Sequence, residues 1–291
     1  MRGARPESAI EQAIERGSVV AKGERVIVAC SGGADSVALA AALASVRTPM
    51  RLDLTLAYVH HGTRESAWQD ECVVLRIGAT YAVPVAVLPL APAARDEAAL
   101  RDARYDALAR LAGERGASAI ATAHHREDQS ETVLLALFRG AGIEGLAGMR
   151  PRRALAPGID LVRPLLHVGA DELRAYAHAH ALPYAVDPTN ADAEVRRNAV
   201  REALAALRPR FPGLDAAVAR SAELAGEDVE GSDRAALRRQ VRQALGEQEG
   251  LRDVDFVHVE AAVRAMERGT SGRFFMKPGV ELRIERGRIQ R

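Results

Sequence analysis

Arg25-Val26-Ile27-Val28-Ala29-Cys30-Ser31-Gly32-Gly33-Ala34-Asp35-Ser36 is the stretch whose reading decides the fold. Its first half is a β-branched run bounded by Gly23 and Gly32, and it reads as a buried strand. The paired glycines then allow a sharp turn whose N–H groups no Cβ obstructs. From Ala34 to Val46 the residues are apolar helix formers, and the helix is expected to stop near Pro49. A strand that turns through glycines into a helix offers backbone N–H groups and a positive dipole end to an anion. Ser31 and Ser36 add hydroxyl donors. Asp35 is the odd member, because a carboxylate beside phosphates repels them unless a cation lies between, which makes it the candidate ligand for Mg²⁺. The spacing is neither GxxxxGK[ST] nor GxGxxG, which disfavours a Walker-type nucleotidase and a dinucleotide oxidoreductase.

Outward from this corner, strand and helix patterns alternate. Residues 52–60, 83–88, 119–123 and 159–162 read as further strands. Between them, 66–81 (with Ser66 as N-cap), 96–116 and 128–138 read as helices. Such alternation implies an α/β fold, a doubly wound, parallel five-stranded sheet with helices on both faces and ligands beyond the carboxyl ends of the strands. Residues 171–180 and 193–207 look helical. The breakers Pro209, Pro212 and Gly213 then set an expected boundary between a catalytic domain, 1–207, and a smaller, mainly helical one, 208–291. In the latter, 214–225, 233–245 and 255–267 read as helices, and 273–289 alternates like a β-hairpin turning at Pro278-Gly279.

Composition narrows the class. The chain has 291 residues, 48% of them apolar, enough for a substantial core. Forty basic against 39 acidic residues leave a net charge of +1, which excludes a polycation or an acidic tail as a description of the whole. A near-zero sum can still hide a basic face, and arginines crowd from Arg196 to Arg242. Cys30 and Cys72 make no CxxC pair and no disulfide framework, so a reducing compartment is expected. The longest apolar run, Val37 to Ala44, is far below the ~18 residues of a membrane span. Glu7, Glu11 and Glu15 occupy the N-terminal stretch, with no secretory signal. A soluble cytoplasmic protein is the expectation.

The hexapeptide from Ser31 to Ser36 resembles the PP-loop of the N-type ATP pyrophosphatases, which cleave ATP between the α- and β-phosphates. Further stretches are similar to one family within them, the tRNA(Ile)-lysidine synthetases. They are His60-His61-Gly62-Thr63-Arg64, Arg101 to Tyr105, Thr122-Ala123-His124-His125-Arg126-Glu127-Asp128-Gln129-Ser130-Glu131-Thr132 through Arg139-Gly140, Gly145 to Met149, Arg163-Pro164-Leu165-Leu166, Asp187-Pro188-Thr189-Asn190, and Arg197-Asn198 with Arg201. Tyr58 stands where the family's strand-two block has a first His, and no role is carried onto it. Many members have further C-terminal domains, so the chain reads as a short form.

The resemblance implies a reaction in which ATP adenylates the wobble cytidine of an isoleucine tRNA with a CAU anticodon. The side-chain amine of L-lysine then displaces AMP at C2. It implies ATP and Mg²⁺ as cofactors, isoleucine tRNA and lysine as partners, no membrane, and a homodimer. Ser31, Gly32, Gly33, Ala34, Asp35 and Ser36 would cradle the phosphates and metal, with Val59 and His60 beside the adenosine. Arg139 is a candidate for stabilising charge on the α-phosphate. Asp128 and Glu131, three apart on a helix, suit lysine's ammonium group, or else compensate the helix dipole. Arg104, or its neighbour Arg101, suits the lysine carboxylate, or else faces solvent. His124 and His125 point to opposite sides of an extended chain, so one belongs to the site; His125 is assigned there with Asp35 and Asp128 as catalytic. Arg196, Arg197 and Arg201 are assigned to tRNA phosphates, against the bland alternative of surface ion pairs. Competing readings are a PP-loop tRNA thiolase of the 2-thiocytidine type, a non-catalytic adenine-nucleotide-binding module and an amidotransferase or ligase partner module. The missing CxxC cysteines argue against the first, and Asp35, Asp128 and Glu131 against the second.

Overall fold

The computed structural model describes residues 9–60, 67–90, 97–185, 195–248, 256–277 and 280–290. The motif residues His61 to Arg64 and Asp187 to Asn190, the N-cap Ser66, and the Pro278-Gly279 turn lie outside the described residues. The chain divides into two units, Met1–Arg139 with Met149–Ala219, and Gly140–Gly148 with Arg220–Arg291.

In chain order the first unit holds α1 (Ala9–Arg16), β1 (Arg25–Ala29), α2 (Ala34–Met50), β2 (Asp53–His60), α3 (Ala67–Tyr81), β3 (Val85–Pro89), α4 (Glu97–Arg115), β4 (Ala119–Ala121) and α5 (Arg126–Phe138). After α6 (Ile143–Leu146), which belongs to the second unit, come β5 (Arg152–Ala156), β6 (Ile159–Val162), α7 (Ala170–Ala179) and α8 (Val195–Leu207). The sheet order is β3-β2-β1-β4-β6-β5. All five expected strands pair in parallel. A sixth, β5, runs antiparallel on the edge beside β6. Its sequence, Arg-Arg-Ala-Leu-Ala, shows no strand alternation. An edge strand needs only one pairing partner, and exposed arginines suit it because they oppose edge-to-edge association.

Period-two alternation sorts the strands between two cores. Val26, Val28, Leu54, Leu56, Tyr58, Ala119, Ala121 and Val162 face one side, with α2, α7 and part of α1 and α3. Ile27, Ala57, Val59, Ile120 and Leu161 face the other, against Leu108, Leu111 and Ala112 of α4. The apolar run that was too short for a membrane is the middle of α2, buried from Ser36 to Leu43. A helix apolar all round must be covered on all sides. It runs through Pro49, farther than expected, and ends where Arg51 adopts left-handed backbone (φ 55°) with its N–H on the Thr48 carbonyl.

Glu24 ties the amino ends of the strands together. Its carboxylate is buried and accepts from the Ala21 N–H (2.7 Å), the Ser118 hydroxyl (2.9 Å) and Arg152 Nη2 (2.8 Å). Arg152 also holds Asp160 Oδ2 at 2.7 Å. The entries to β1 and β4 and the edge strand β5 therefore share one charge cluster.

The second unit takes in the later part of α9 (Leu214–Glu230), then α10 (Asp233–Gln248), α11 (Phe256–Glu267), β7 (Gly272–Lys277), β8 (Val280–Glu285) and β9 (Arg288–Gln290). The expected hairpin is a three-stranded antiparallel sheet, β9 being added through a turn at Arg286-Gly287. Its core joins Val241, Leu245, Val259, Val263, Met276, Leu282 and Ile284. Buried Arg238 pairs with Glu260 and Glu227, Arg234 with Glu260 (2.6 Å) and Glu267 (2.8 Å), and Arg239 with Asp228 (2.7 Å). Much of the arginine density that reads as a basic face in the sequence is thus cross-linking inside this unit.

The Glu24 cluster generates a test. Glu24→Gln leaves the Arg152 cation short of its main partner and should destabilise the fold by about 2 kcal/mol, reduced from the fully buried case because Arg152 is partly exposed. Burial raises the Glu24 pKa, but Arg152, the Ala21 N–H and Ser118 outweigh it and hold the group below its ordinary 4.5. Its stabilisation is present above that value and is lost as pH falls. Denaturant titrations should show the gap between wild type and variant narrowing below about pH 4.5.

Candidate active site

The chain leaves β1 for β2 on one side and returns to β4 on the other, so β1 and β4 are neighbours whose connections diverge. Ligands of open α/β sheets bind outside the carboxyl ends of the strands at such a switch point. The loop from Ser31 to Ser36 leaves β1 there, and His124, His125 and the start of α5 leave β4 beside it.

The loop is shaped from within. Gly32 has φ +88°, and a Cβ on it would stand 2.9 Å from the Asp70 carbonyl oxygen of α3. Gly33 precedes α2 with extended backbone, and a Cβ there would meet only the Ser31 hydroxyl at 3.7 Å. The Ser36 hydroxyl donates to the Gly33 carbonyl (2.9 Å), accepts from the Ser31 N–H (3.1 Å) and lies 3.2 Å from the Ser31 hydroxyl. Ser36 is buried and braces the turn, whereas Ser31 is exposed. The Ala185 N–H donates to the Gly32 carbonyl, so the chain just ahead of residues 186–194 runs beside the loop. Val59 is buried and His60 half-buried at the end of β2, where His60 meets Tyr58 edge-on with centroids 6.2 Å apart.

Three carboxylates converge on His125, the N-cap of α5. Its Nε2 lies 3.7 Å from Asp35 Oδ2 and 3.6 Å from Asp128 Oδ2, and its Nδ1 lies 3.1 Å from Glu127 Oε2. The His125 N–H donates to Asp128 Oδ2 at 3.0 Å, which fixes that carboxylate at the helix start. Burial alone would lower the His125 pKa; Glu127, Asp128 and Asp35 overcome it and raise it. Burial raises the Asp35 pKa, with Asp128 and Glu127 adding to the rise and His125 and Arg174 opposing it. Burial pushes Glu127 up as well, yet His125 and the Ala170 N–H (2.9 Å) hold it down at about 2.

His124 faces the opposite environment. Its Nδ1 lies 2.9 Å from the Thr122 hydroxyl. Burial, then Arg163, Arg101 and Arg197, depress its pKa to about 3, so it is neutral at pH 7. Two consecutive histidines therefore divide an acidic half-site from a basic one.

The remaining expected residues have other partners or face solvent. Glu131 does not join Asp128 at His125. It is buried, with Arg197 Nε at 3.0 Å and Arg201 Nε at 2.7 Å, and this pair of contacts joins α5 to α8. Arg196 is exposed at the start of α8. Arg104 is exposed on α4, and Arg101 lies over the Tyr105 ring at 5.6 Å. Arg139 caps the carboxyl end of α5, eleven residues from Asp128 and so about 16 Å along the helix axis, outside the Asp35–His125–Asp128 cluster. Glu127 and Arg163 were not singled out from the sequence. Glu127 reads there as an ordinary first-turn acid, and Arg163 as one letter of a motif. Among the described residues no group of three or more His, Cys, Asp or Glu makes a ready metal cage. Asp35 still fits Mg²⁺, which takes one or two protein carboxylates and draws its other ligands from phosphates and water.

A parallel switch-point sheet with a glycine-turned anion loop defines a nucleotide-binding α/β class, and residues 5–207 match the PP-loop domain family. The chain is 43% identical over 208 residues to the tRNA(Ile)-lysidine synthase of Ralstonia nicotianae, covering 68% of this chain and 44% of that one. It is 42% identical over 257 residues to that of Salinispora arenicola, covering 86% and 74%. It therefore belongs to the PP-loop domain family and, within it, to the tRNA(Ile)-lysidine synthases. It spans less than half the length of the Ralstonia relative. The solved U34-tRNA thiolase NcsA from Methanococcus maripaludis, with its [4Fe-4S] cluster, shares the fold at 17% identity, a TM-score of 0.64 and coverage of 74% and 77%.

Two tests follow from the geometry. Gly32→Ala should lower stability by about 1–3 kcal/mol through left-handed strain and the clash with Asp70. Gly33→Ala should leave stability within about 0.5 kcal/mol, because the added methyl has room. Melting curves of the two variants separate the two. The second test concerns acid. The folded pKa of His124 lies below its unfolded value, so the unfolded chain takes the proton first. Stability should fall as pH drops from 6.5 towards about 3, and His124→Gln should flatten that limb in pH-dependent unfolding.

Proposed function

We propose that the chain catalyses ATP-dependent ligation of L-lysine to C2 of the wobble cytidine in the CAU anticodon of isoleucine tRNA. The reaction proceeds through an adenylated cytidine and releases pyrophosphate, then AMP. The observation that carries this reading is the convergence of Asp35 from the loop and Asp128 from α5 on His125, at 3.7 and 3.6 Å. An anion cradle and a carboxylate suited to an ammonium group thereby share one centre, in a chain of this family.

In this reading the backbone N–H groups from Gly32 to Ala34 and the start of α2 hold the phosphates, and Val59 and His60 lie beside the adenosine. Asp35 would hold Mg²⁺, which when bound draws charge off the phosphates. His125, with its raised pKa, keeps a positive charge next to Asp35 as the α-phosphorus is attacked. The second step needs a neutral amine. Lysine's side chain ionises near 10.4, so at pH 7 only about 1 in 2,500 amines is neutral, a penalty of roughly 4–5 kcal/mol. Asp128, pinned by the His125 N–H, binds the ammonium group and accepts its proton as the nitrogen attacks C2. Glu131 contributes indirectly, by fixing Arg197 and Arg201 on the α8 face, where Arg196 presents its charge outward to tRNA phosphates.

No second reading has a specific observation behind it. The two cysteines, one buried at the end of β1 and one exposed on α3, are no ligand set for an iron–sulfur cluster. Incubation with ATP, Mg²⁺, radiolabelled lysine and CAU-anticodon isoleucine tRNA should place label in the tRNA, and absence of label refutes the proposal. Asp128→Asn should raise the KM for lysine by about 10-fold or more, the worth of a charge-assisted hydrogen bond, with ATP binding nearly intact. An unchanged lysine dependence would remove Asp128 from the amine site.

A further inference from the structure

Arg163 follows β6 at the carboxyl edge of the sheet and is only 3% exposed. Its Nη1 donates to the Arg150 carbonyl at 2.6 Å, while its buried Nε has no hydrogen-bond partner among the described residues. Among the described residues no carboxylate forms an ion pair with it. The Thr122 N–H donates to the Val162 carbonyl at 3.0 Å, so Arg163 emerges next to the segment that carries His124. The charges around it are of one sign. Burial, opposed by Tyr105 and joined by Arg153 and Arg101, lowers the Arg163 pKa to about 10. A buried cation among cations, with a neutral imidazole and an unsatisfied N–H, is costly unless an anion completes it.

We propose that Arg163 is a binding residue for the amino-acid substrate, its guanidinium receiving the α-carboxylate. This rests on the lysine reading above. The ligand chemistry is an oxyanion, and the place in the sheet selects a carboxylate over a nucleotide phosphate. The phosphate loop leaves β1, and β6 lies two strand spacings away, about 10 Å, with β4 between them. Lysine carries charge of both signs. The acidic residues around His125 match its ammonium end, and the unpaired guanidinium beyond His124 matches its carboxylate. Arginine's planar fork accepts a carboxylate through two parallel hydrogen bonds.

The test compares lysine with cadaverine, which keeps the amine and lacks the carboxylate, using the full chain with ATP, Mg²⁺ and CAU-anticodon isoleucine tRNA. Wild type should favour lysine by about 10- to 100-fold in kcat/KM, the range of a charge-assisted hydrogen bond. Arg163→Met should bring lysine down to the cadaverine value and leave cadaverine unchanged. Its melting temperature should hold or rise, because an apolar side chain replaces an unpaired buried charge. Arg163→Lys, which keeps the charge and loses the fork, should retain part of the preference, and it decides the matter if the Met variant does not fold. Equal use of the two amines by wild type overturns the assignment, as does an equal loss for both in Arg163→Met. A raised KM for ATP with the lysine preference intact overturns it in favour of a phosphate contact. No label from either amine refutes the lysine reading itself, and this assignment with it.

Discussion

One imidazole against three carboxylates is the constraint on which the site depends. Asp35, Glu127 and Asp128 come from two elements, and nothing in their own chemistry would bring them together. Like charges a few ångströms apart in a partly buried site repel by several kcal/mol. The raised pKa of His125 shows the remedy, a field of neighbouring carboxylates that favours its protonated form. The backbone N–H of His125 fixes the geometry as well. With the His125 N–H on Asp128 and the ring between Asp128 and Asp35, the start of α5 is locked to the loop that leaves β1.

The two histidines show how the strand edge partitions charge. They are adjacent in sequence, and extended backbone sends neighbouring side chains to opposite sides. One therefore enters the acidic cluster and the other the space of Arg163, Arg101 and Arg197. Burial lowers both pKa values, but the neighbours reverse the shift at His125 and deepen it at His124. One residue type thus meets two opposite fields within a single dipeptide. The proposed reaction, which handles an anionic nucleotide and a dipolar amino acid, would use both charge environments.

Most of the architecture was legible because it rests on local signals. The β-branched run into paired glycines fixed β1, the loop and α2, and the alternation that followed fixed a parallel sheet. What escaped were features decided by partners distant in sequence. β5 has no strand pattern of its own and exists because β6 offers it an edge. β9, three residues long, is specified by the turn at Gly287 and by β8. In the site, the loop and the Asp128 helix were legible as motifs. The separate fates of Asp128 and Glu131 were not, since helical spacing gives a shared face and says nothing of Arg197 and Arg201 on α8. Arg139 belonged to a continuous motif, yet a straight helix carries it about 16 Å from Asp128.

The arginines carry this lesson to the question of nucleic-acid binding. A count from Arg196 to Arg242 suggests a continuous basic surface, but a guanidinium already held by a carboxylate offers little net charge to a phosphate. Arg197 and Arg201 are held by Glu131, Arg208 by Asp215, Arg234 and Arg238 by Glu260, and Arg239 by Asp228. These pairs hold helices in register, so their removal acts on folding before it acts on binding. A surface that recognises RNA must be sought among arginines whose charge is uncompensated and exposed, and Arg196 meets the second condition. Arg163 meets the first condition and fails the second. A cation buried away from solvent cannot meet a polyanion's surface, and it can complete only a ligand small enough to enter the fold.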